Sequence, residues 1–235
     1  MRYIIVLIIF VLCIMTTIRF SDHYDNWRTS RMNGLTKYIS PLYFRSKSLL
    51  ELGCGYADIG NAFSELGALV TSSDARKEHL DIVNDRYPHI KTSLIDCDNL
   101  NIEGKYDIIL HWGLLYHLRE IENHLKEVSN KCNVLLLETE VSDSDDHDFY
   151  IITREEGYDQ AFNNTGIRPS PSYIESLLDN NGFQFKMIKD PILNSGFHSY
   201  DWDVNNSETW RPGLRRFWIC WKNIDCPLVN IDHNI

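Results

Sequence analysis

Apolar positions along this chain come in two rhythms. Short strand-length runs lie at residues 48–52, 69–73, 91–95, 106–111, 133–138, 183–188 and 216–221. Between them the apolar positions take helical spacing, at residues 58–66, 77–86, 121–129 and 172–180. Strands alternating with helices predict an α/β fold: a mostly parallel sheet with helices on both faces. Residues 24–39 predict a further amphipathic helix in front of this domain, ended near Pro41. Two stretches break the rhythm. Residues 141–170 are acidic, polar and rich in turn formers, and residues 189–210 are irregular. Both are placed to act as lids over a site at the strand ends.

The first twenty residues, MRYIIVLIIFVLCIMTTIRF, follow neither rhythm. They are apolar almost without interruption from residue 3 to 18, with no polar face to meet water. As a helix the run would be ~24 Å long, a little short of the ~30 Å hydrocarbon core. No small-x-small cleavage site follows it, so residues 1–20 read as an uncleaved membrane anchor, with a cleaved signal peptide as the alternative, ahead of a domain at 21–235. Arg19, Arg28, Arg31 and Lys37 follow the run, against Arg2 and the amino terminus before it. That balance predicts a membrane-anchored protein with its globular part on the cytoplasmic side. The net charge of −10 argues against a broad nucleic-acid footprint. Six cysteines without a CxxC pair or zinc spacing read as reduced, scattered thiols, and no metal site is expected.

The chemistry starts at the first strand, LLELGCGYADIGNAF over residues 49–63. Gly53 and Gly55 permit a sharp turn and a close ligand approach. A dinucleotide site wants G-x-G-x-x-G, but Asp58 stands where the third glycine belongs. A carboxylate there would repel a pyrophosphate, and Glu51 adds a second negative charge. Two acids suit a cationic ligand without phosphate, and the sulfonium and ammonium of S-adenosylmethionine meet that description. Asp74 ends the second strand, where an acid can accept from both ribose hydroxyls or cap the next helix. Asp96 follows the third strand, as an acceptor for an adenine amino group or as a turn acid.

In order and spacing, ELGCGYA, SSDARKEHL, IDCDNL, KYDIILHWGLLYHL and NVLLLE resemble the class I S-adenosylmethionine-dependent methyltransferases. The resemblance covers roughly residues 45–140 and again 172–221. It implies a doubly wound, mostly parallel seven-stranded sheet with an antiparallel last strand. It also implies a methyltransferase whose cofactor is S-adenosylmethionine. By match, Glu51, Gly53 and Gly55 line the methionine end, Asp74 holds the ribose, and Asp96 with the Cys97 backbone holds adenine. Trp112 and Gly113 would face the cofactor. Ala57 departs from the family, which often has a third glycine there.

His117, after HWGLLY, is the candidate base for an oxygen or nitrogen acceptor; the alternative is that it packs against a lid. Tyr200, Trp202 and Trp210 either stack on a flat acceptor or form a small core under the second lid. Arg211, Arg215 and Arg216 are candidates to hold an anion. The acceptor is expected to be a small molecule or conjugate. The rivals are an RNA-modifying methyltransferase, which shares the LYH-type segment, a non-catalytic S-adenosylmethionine-binding accessory protein, and a nicotinamide oxidoreductase.

Overall fold

The computed structural model describes residues 24–157 and 160–229. The expected N-terminal anchor, residues 1–20, lies outside them. Among the described residues no helix is long and apolar enough to cross a membrane.

The chain opens with α1 (Asp25–Tyr38) and then alternates as the pattern predicts. The elements are β1 (Ser48–Leu52), α2 (Asp58–Glu65), β2 (Leu69–Asp74), α3 (Lys77–Arg86), β3 (Lys91–Leu94), β4 (Tyr106–Trp112), α4 (Ile121–Ser129) and β5 (Cys132–Glu140). After the first irregular stretch come α5 (Pro171–Asn180), β8 (Gln184–Ile188) and β9 (Arg215–Trp221). The sheet order is β3-β2-β1-β4-β5-β9-β8. Strands β1 to β5 pair in parallel, and β9 runs antiparallel to both β5 and β8.

Every central strand is buried on both sides, so adjacent residues feed opposite cores. Leu49, Ile108, Val134 and Phe217 join one face with Trp27 and Leu35 of α1, Ile59 and Phe63 of α2 and Val83 of α3. Leu50, Ile109, Leu135 and Trp218 join the other with Leu125 of α4 and Ile174 of α5. The order of the strands reverses between β1 and β4. The crevice at such a reversal, outside the carboxyl ends, is where sheets of this kind bind ligands.

The stretch 141–170 departs from the expected irregular lid. It contains a two-stranded antiparallel hairpin, β6 (Tyr150–Arg154) and β7 (Thr165–Pro169), separate from the main sheet. Its polar, turn-rich flanks hid the signal, although Ile151, Ile152 and Thr153 are β-branched residues in sequence. The hairpin is seated by Gly166: a Cβ there would stand 2.2 Å from the Tyr116 carbonyl oxygen and 3.1 Å from Glu155 Oε1. Only a hydrogen at this position lets β7 lie so close to the loop after β4.

Gly166→Ala should therefore push the hairpin off that loop and cost roughly 1–3 kcal/mol, the scale of overpacking. Urea unfolding of variant and wild type measures it. An unchanged midpoint would mean that the hairpin is not packed in this way.

Candidate active site

The turn after β1 is built from backbone in the left-handed region. Gly53, Gly55 and Ala57 have φ of 64°, 54° and 57°. Ala57 thus occupies the conformation that glycine takes more cheaply, which accounts for the glycine common there among the proteins it resembles. Asp58 is the first helical residue of α2 and caps nothing. It is held instead by Arg86 Nη2 at 2.7 Å, Tyr87 Oη at 2.8 Å and Arg28 Nη1 at 3.2 Å.

Glu51, Gly53, Gly55, Asp74, Asp96, Cys97, Trp112, Gly113 and His117 all line one pocket at the strand ends. The acids are already fixed by the protein. Glu51 is buried, accepting from Gly60 N–H at 3.1 Å and from the Ser72 hydroxyl at 2.6 Å. Asp74 accepts from Gly55 N–H at 3.0 Å and Arg76 N–H at 2.9 Å, and His79 Nδ1 lies 3.2 Å away. Asp96 accepts from Asp98 N–H at 3.0 Å and Asn99 Nδ2 at 2.8 Å, so it is also the turn acid of the alternative reading. Each carboxylate oxygen keeps a lone pair for a further donor.

Helix α1 belongs to the site, which its place ahead of the first strand concealed. Trp27 and Arg31, one helical turn apart, line the pocket with Tyr24 and Arg28. The Arg31 guanidinium lies 3.8 Å from the Trp27 ring centroid and 5.2 Å from that of Trp112. Among the described residues its side chain makes one hydrogen bond, from Nη1 to Glu138 Oε2 at 3.4 Å. Arg31 Nε and the Trp112 indole N–H are buried without hydrogen-bond partners among the described residues. A buried guanidinium this thinly paired has donors to spare for an anion.

On another wall of the pocket, His117 Nδ1 is hydrogen-bonded to Glu155 Oε2. Burial pulls the Glu155 carboxyl upward, but the His117 ring and Arg168 outweigh it and hold it at about 2. Glu155 is thus an ionised acceptor, so Nδ1 carries the proton and Nε2 has the free lone pair. Burial keeps the imidazole below its ordinary pKa despite the neighbouring carboxylate. At neutral pH the ring is uncharged.

Glu155 also accepts from Arg168 Nη2. Arg168 Nε in turn donates to Glu140 Oε2 at 2.7 Å, and Arg215 Nη2 donates to Glu140 Oε1 at 3.3 Å and to Tyr116 Oη at 3.1 Å. Arg215 Nη1 and Tyr200 Oη both reach Glu138 Oε1 at 3.0 Å. The second lid is therefore used internally. Tyr200 is fully buried, its hydroxyl accepting from Trp27 Nε1 at 2.6 Å. Arg216 holds the carbonyls of Tyr200 and Trp202 and lies 3.8 Å from the Trp202 ring centroid. Trp210 lies under Arg168 at 4.5 Å. Tyr200, Trp202 and Trp210 stay out of the pocket lining, and Arg215 and Arg216 are spent on the fold instead of on an anion.

His111 and His124 form a separate buried pair, Nε2 to Nε2 at 2.7 Å. His124 Nδ1 donates to the Cys97 carbonyl at 3.0 Å, so its Nε2 accepts and His111 donates. Burial pushes both rings down, His124 to about 4, and they brace the floor beneath Cys97. The described cysteines are free thiols, and no cluster that could hold a metal occurs among the described residues. Cys13 lies outside the described residues. Arg28, Arg31 and Lys37, counted above as flanking an anchor, are engaged by Asp58, the pocket and Asp190 respectively.

This fold, with a glycine turn, strand-end acids and the His117–Glu155 pair around one crevice, is that of a Rossmann-like methyltransferase. A methyltransferase-domain family model matches residues 24–186, and the chain belongs to that family. Its cofactor is S-adenosylmethionine. A search of curated proteins gives no match. Among solved structures, the N-terminal domain of EvdMO1, crystallised with SAH and D-fucose, is 18% identical with a TM-score of 0.63, over 86% of this chain and 84% of that one. An S-adenosylmethionine-dependent methyltransferase from Mesorhizobium loti is 14% identical with a TM-score of 0.56, over 76% and 92%. The Burkholderia thailandensis 1,6-didemethyltoxoflavin-N1-methyltransferase is 15% identical with a TM-score of 0.55, over 94% and 88%. At these identities the likeness is one of fold.

The residues present fit the cofactor. Carboxylates at three strand ends suit a cationic, hydroxyl-rich ligand, and the thinly paired Arg31 suits its carboxylate. Burial, opposed by the bonds from Ser72 and Gly60, raises the Glu51 pKa from 4.5 to about 7. The folded protein therefore holds a proton that the unfolded chain releases, and stability falls as pH rises from about 4.5 to 7. The full loss is roughly 3 kcal/mol. Glu51→Gln still accepts from Gly60 and can donate to Ser72, without the charge. Without cofactor, thermal unfolding should show the variant matching wild type near pH 5 and exceeding it near pH 8. A gap that stays the same at both pH values would contradict the burial of a titrating Glu51.

Proposed function

We propose that the protein methylates an oxygen or nitrogen of a small molecule or conjugate, with His117 as the base. The observation that carries this reading is the His117–Glu155 pair: a neutral imidazole on the pocket wall, its Nδ1 engaged by a buried carboxylate and its Nε2 left to accept. The Burkholderia neighbour, a 1,6-didemethyltoxoflavin-N1-methyltransferase, supports the acceptor class by analogy.

In this reading Arg31 would hold the methionine carboxylate, and Glu51 with the backbone of Gly53 and Gly55 the rest of the methionine end. Asp74 would accept from the ribose hydroxyls, and Asp96 with the Cys97 backbone would take adenine. Trp112 and Gly113 would border the reacting end. S-adenosylmethionine, when bound, supplies an electrophilic methyl group on a positively charged sulfur. His117 Nε2 takes the proton that the acceptor's hydroxyl or amine gives up as its bond to carbon forms. Glu155 holds the ring in that tautomer and stabilises the imidazolium produced. The hairpin and Tyr116 cover the reacting end and keep water from it.

The apolar run at residues 3–18 supports attachment to a membrane, and a lipid or lipid-linked acceptor would suit such a location. With Arg28, Arg31 and Lys37 engaged in the fold, only Arg19 is set against Arg2 and the amino terminus, and the charge balance no longer favours a cytoplasmic domain.

The test is incubation of the full chain with cell extract and S-adenosylmethionine carrying a deuterated methyl group, followed by mass spectrometry. Wild type should label a small molecule or conjugate at a heteroatom. His117→Ala should label the same species roughly 10²–10⁴-fold more slowly while binding S-adenosylhomocysteine normally. Label found in RNA, or equal rates in the variant, would contradict the reading.

A further inference from the structure

The loop of the β6–β7 hairpin crosses from the acceptor side of the pocket to the cofactor side. Glu155 begins it, on His117, and also accepts from Ala161 N–H at 3.1 Å. Further along, the loop is clasped twice by the turns that carry the cofactor acids. Arg76 Nη2, two residues past Asp74, donates to the Gln160 carbonyl at 2.9 Å. Asp98, two residues past Asp96, accepts from Asn163 Nδ2 at 2.6 Å.

Between the clasps sits Phe162. It is 51% exposed, yet it lines the pocket, its ring centroid 5.5 Å from the Arg76 guanidinium. Gln160 lines the pocket beside it. A large apolar ring left half exposed on a pocket wall, its backbone neighbours hydrogen-bonded in place, presents a surface that a flat ligand would bury. The clasps lie on the second and third strand-end turns, where the acids assigned to ribose and adenine stand.

We propose that Gln160 and Phe162 cap the adenosine half of the cofactor, held there by Arg76 and Asp98, with Phe162 the contacting group. This rests on the assignment of the pocket to S-adenosylmethionine. The same hairpin then serves both halves of the site, since one end covers adenosine and the other presents Glu155 to His117.

The test is titration calorimetry of the full chain with S-adenosylhomocysteine and with adenosine, together with stopped-flow dissociation of S-adenosylhomocysteine. Phe162→Ala should weaken both ligands about tenfold, the scale of base–aromatic stacking, mostly through faster dissociation. Phe162→Tyr should restore binding. Asn163→Ala, which opens one clasp without touching the ring, should speed dissociation about threefold. Wild-type affinity and dissociation rate in both alanine variants would overturn the cap. Failure of the wild type to bind S-adenosylhomocysteine would overturn the cofactor assignment, and the cap with it.

Discussion

The carboxyl end of β5 and the adjacent amino end of the antiparallel β9 carry a run of buried charges to which the rest of the site is attached. Glu138 and Glu140 on β5 meet Arg215 on β9, and Arg168 on β7 extends the run to Glu155 and His117. Arg31 joins from α1 through Glu138. Charges this deep are costly to desolvate, so each must be matched in place. Burial works against ionisation of Glu138, but Arg215 and Arg31 hold it below the ordinary carboxylate range. Burial likewise opposes the charge on Arg215, and Glu138, Tyr116 and Glu140 push its pKa well up. Removing one member strands its partner, a loss of about 3–5 kcal/mol. We read the network as fixing position more than adding stability: it seats the hairpin, the second lid and α1 at one place.

That arrangement divides the pocket. The cofactor side is the more local, because Glu51, Asp74 and Asp96 stand at the ends of neighbouring parallel strands and their partners, Gly60, Ser72, Gly55, Arg76, Asp98 and Asn99, lie in the adjoining turns, strand and helix. The remaining walls are long-range. His117 and Glu155 are 38 residues apart, and Arg31 and Glu138 are 107 apart.

This difference decides what was legible in the sequence. Strand ends follow from hydrophobic runs, so the sheet, its helices and the nine pocket residues could be placed in advance. The roles of those nine rest on chemistry and resemblance, whereas their convergence is a matter of geometry. Glu155 and Arg168 were not legible, since nothing local to YIITREEGYDQAF distinguishes a buried acid from a solvated one. Arg31 was read as a charge flanking an anchor, because its burial depends on Trp112 and Glu138 across the fold. Arg215 and Arg216 drew notice as candidate anion holders, but the antiparallel register sets Arg215 opposite Glu140 on β5. A clue was present there: glutamates at 138 and 140 and arginines at 215 and 216, all within strands expected to be buried.

The central claim is that the buried carboxylate of Glu155 fixes His117 as a neutral base with its proton on Nδ1. Nitrogen-15 NMR of the imidazole at neutral pH reads that state directly. The account predicts a protonated Nδ1 and an unprotonated Nε2 in the wild type. A proton on Nε2, or a fully protonated ring at neutral pH, would contradict it.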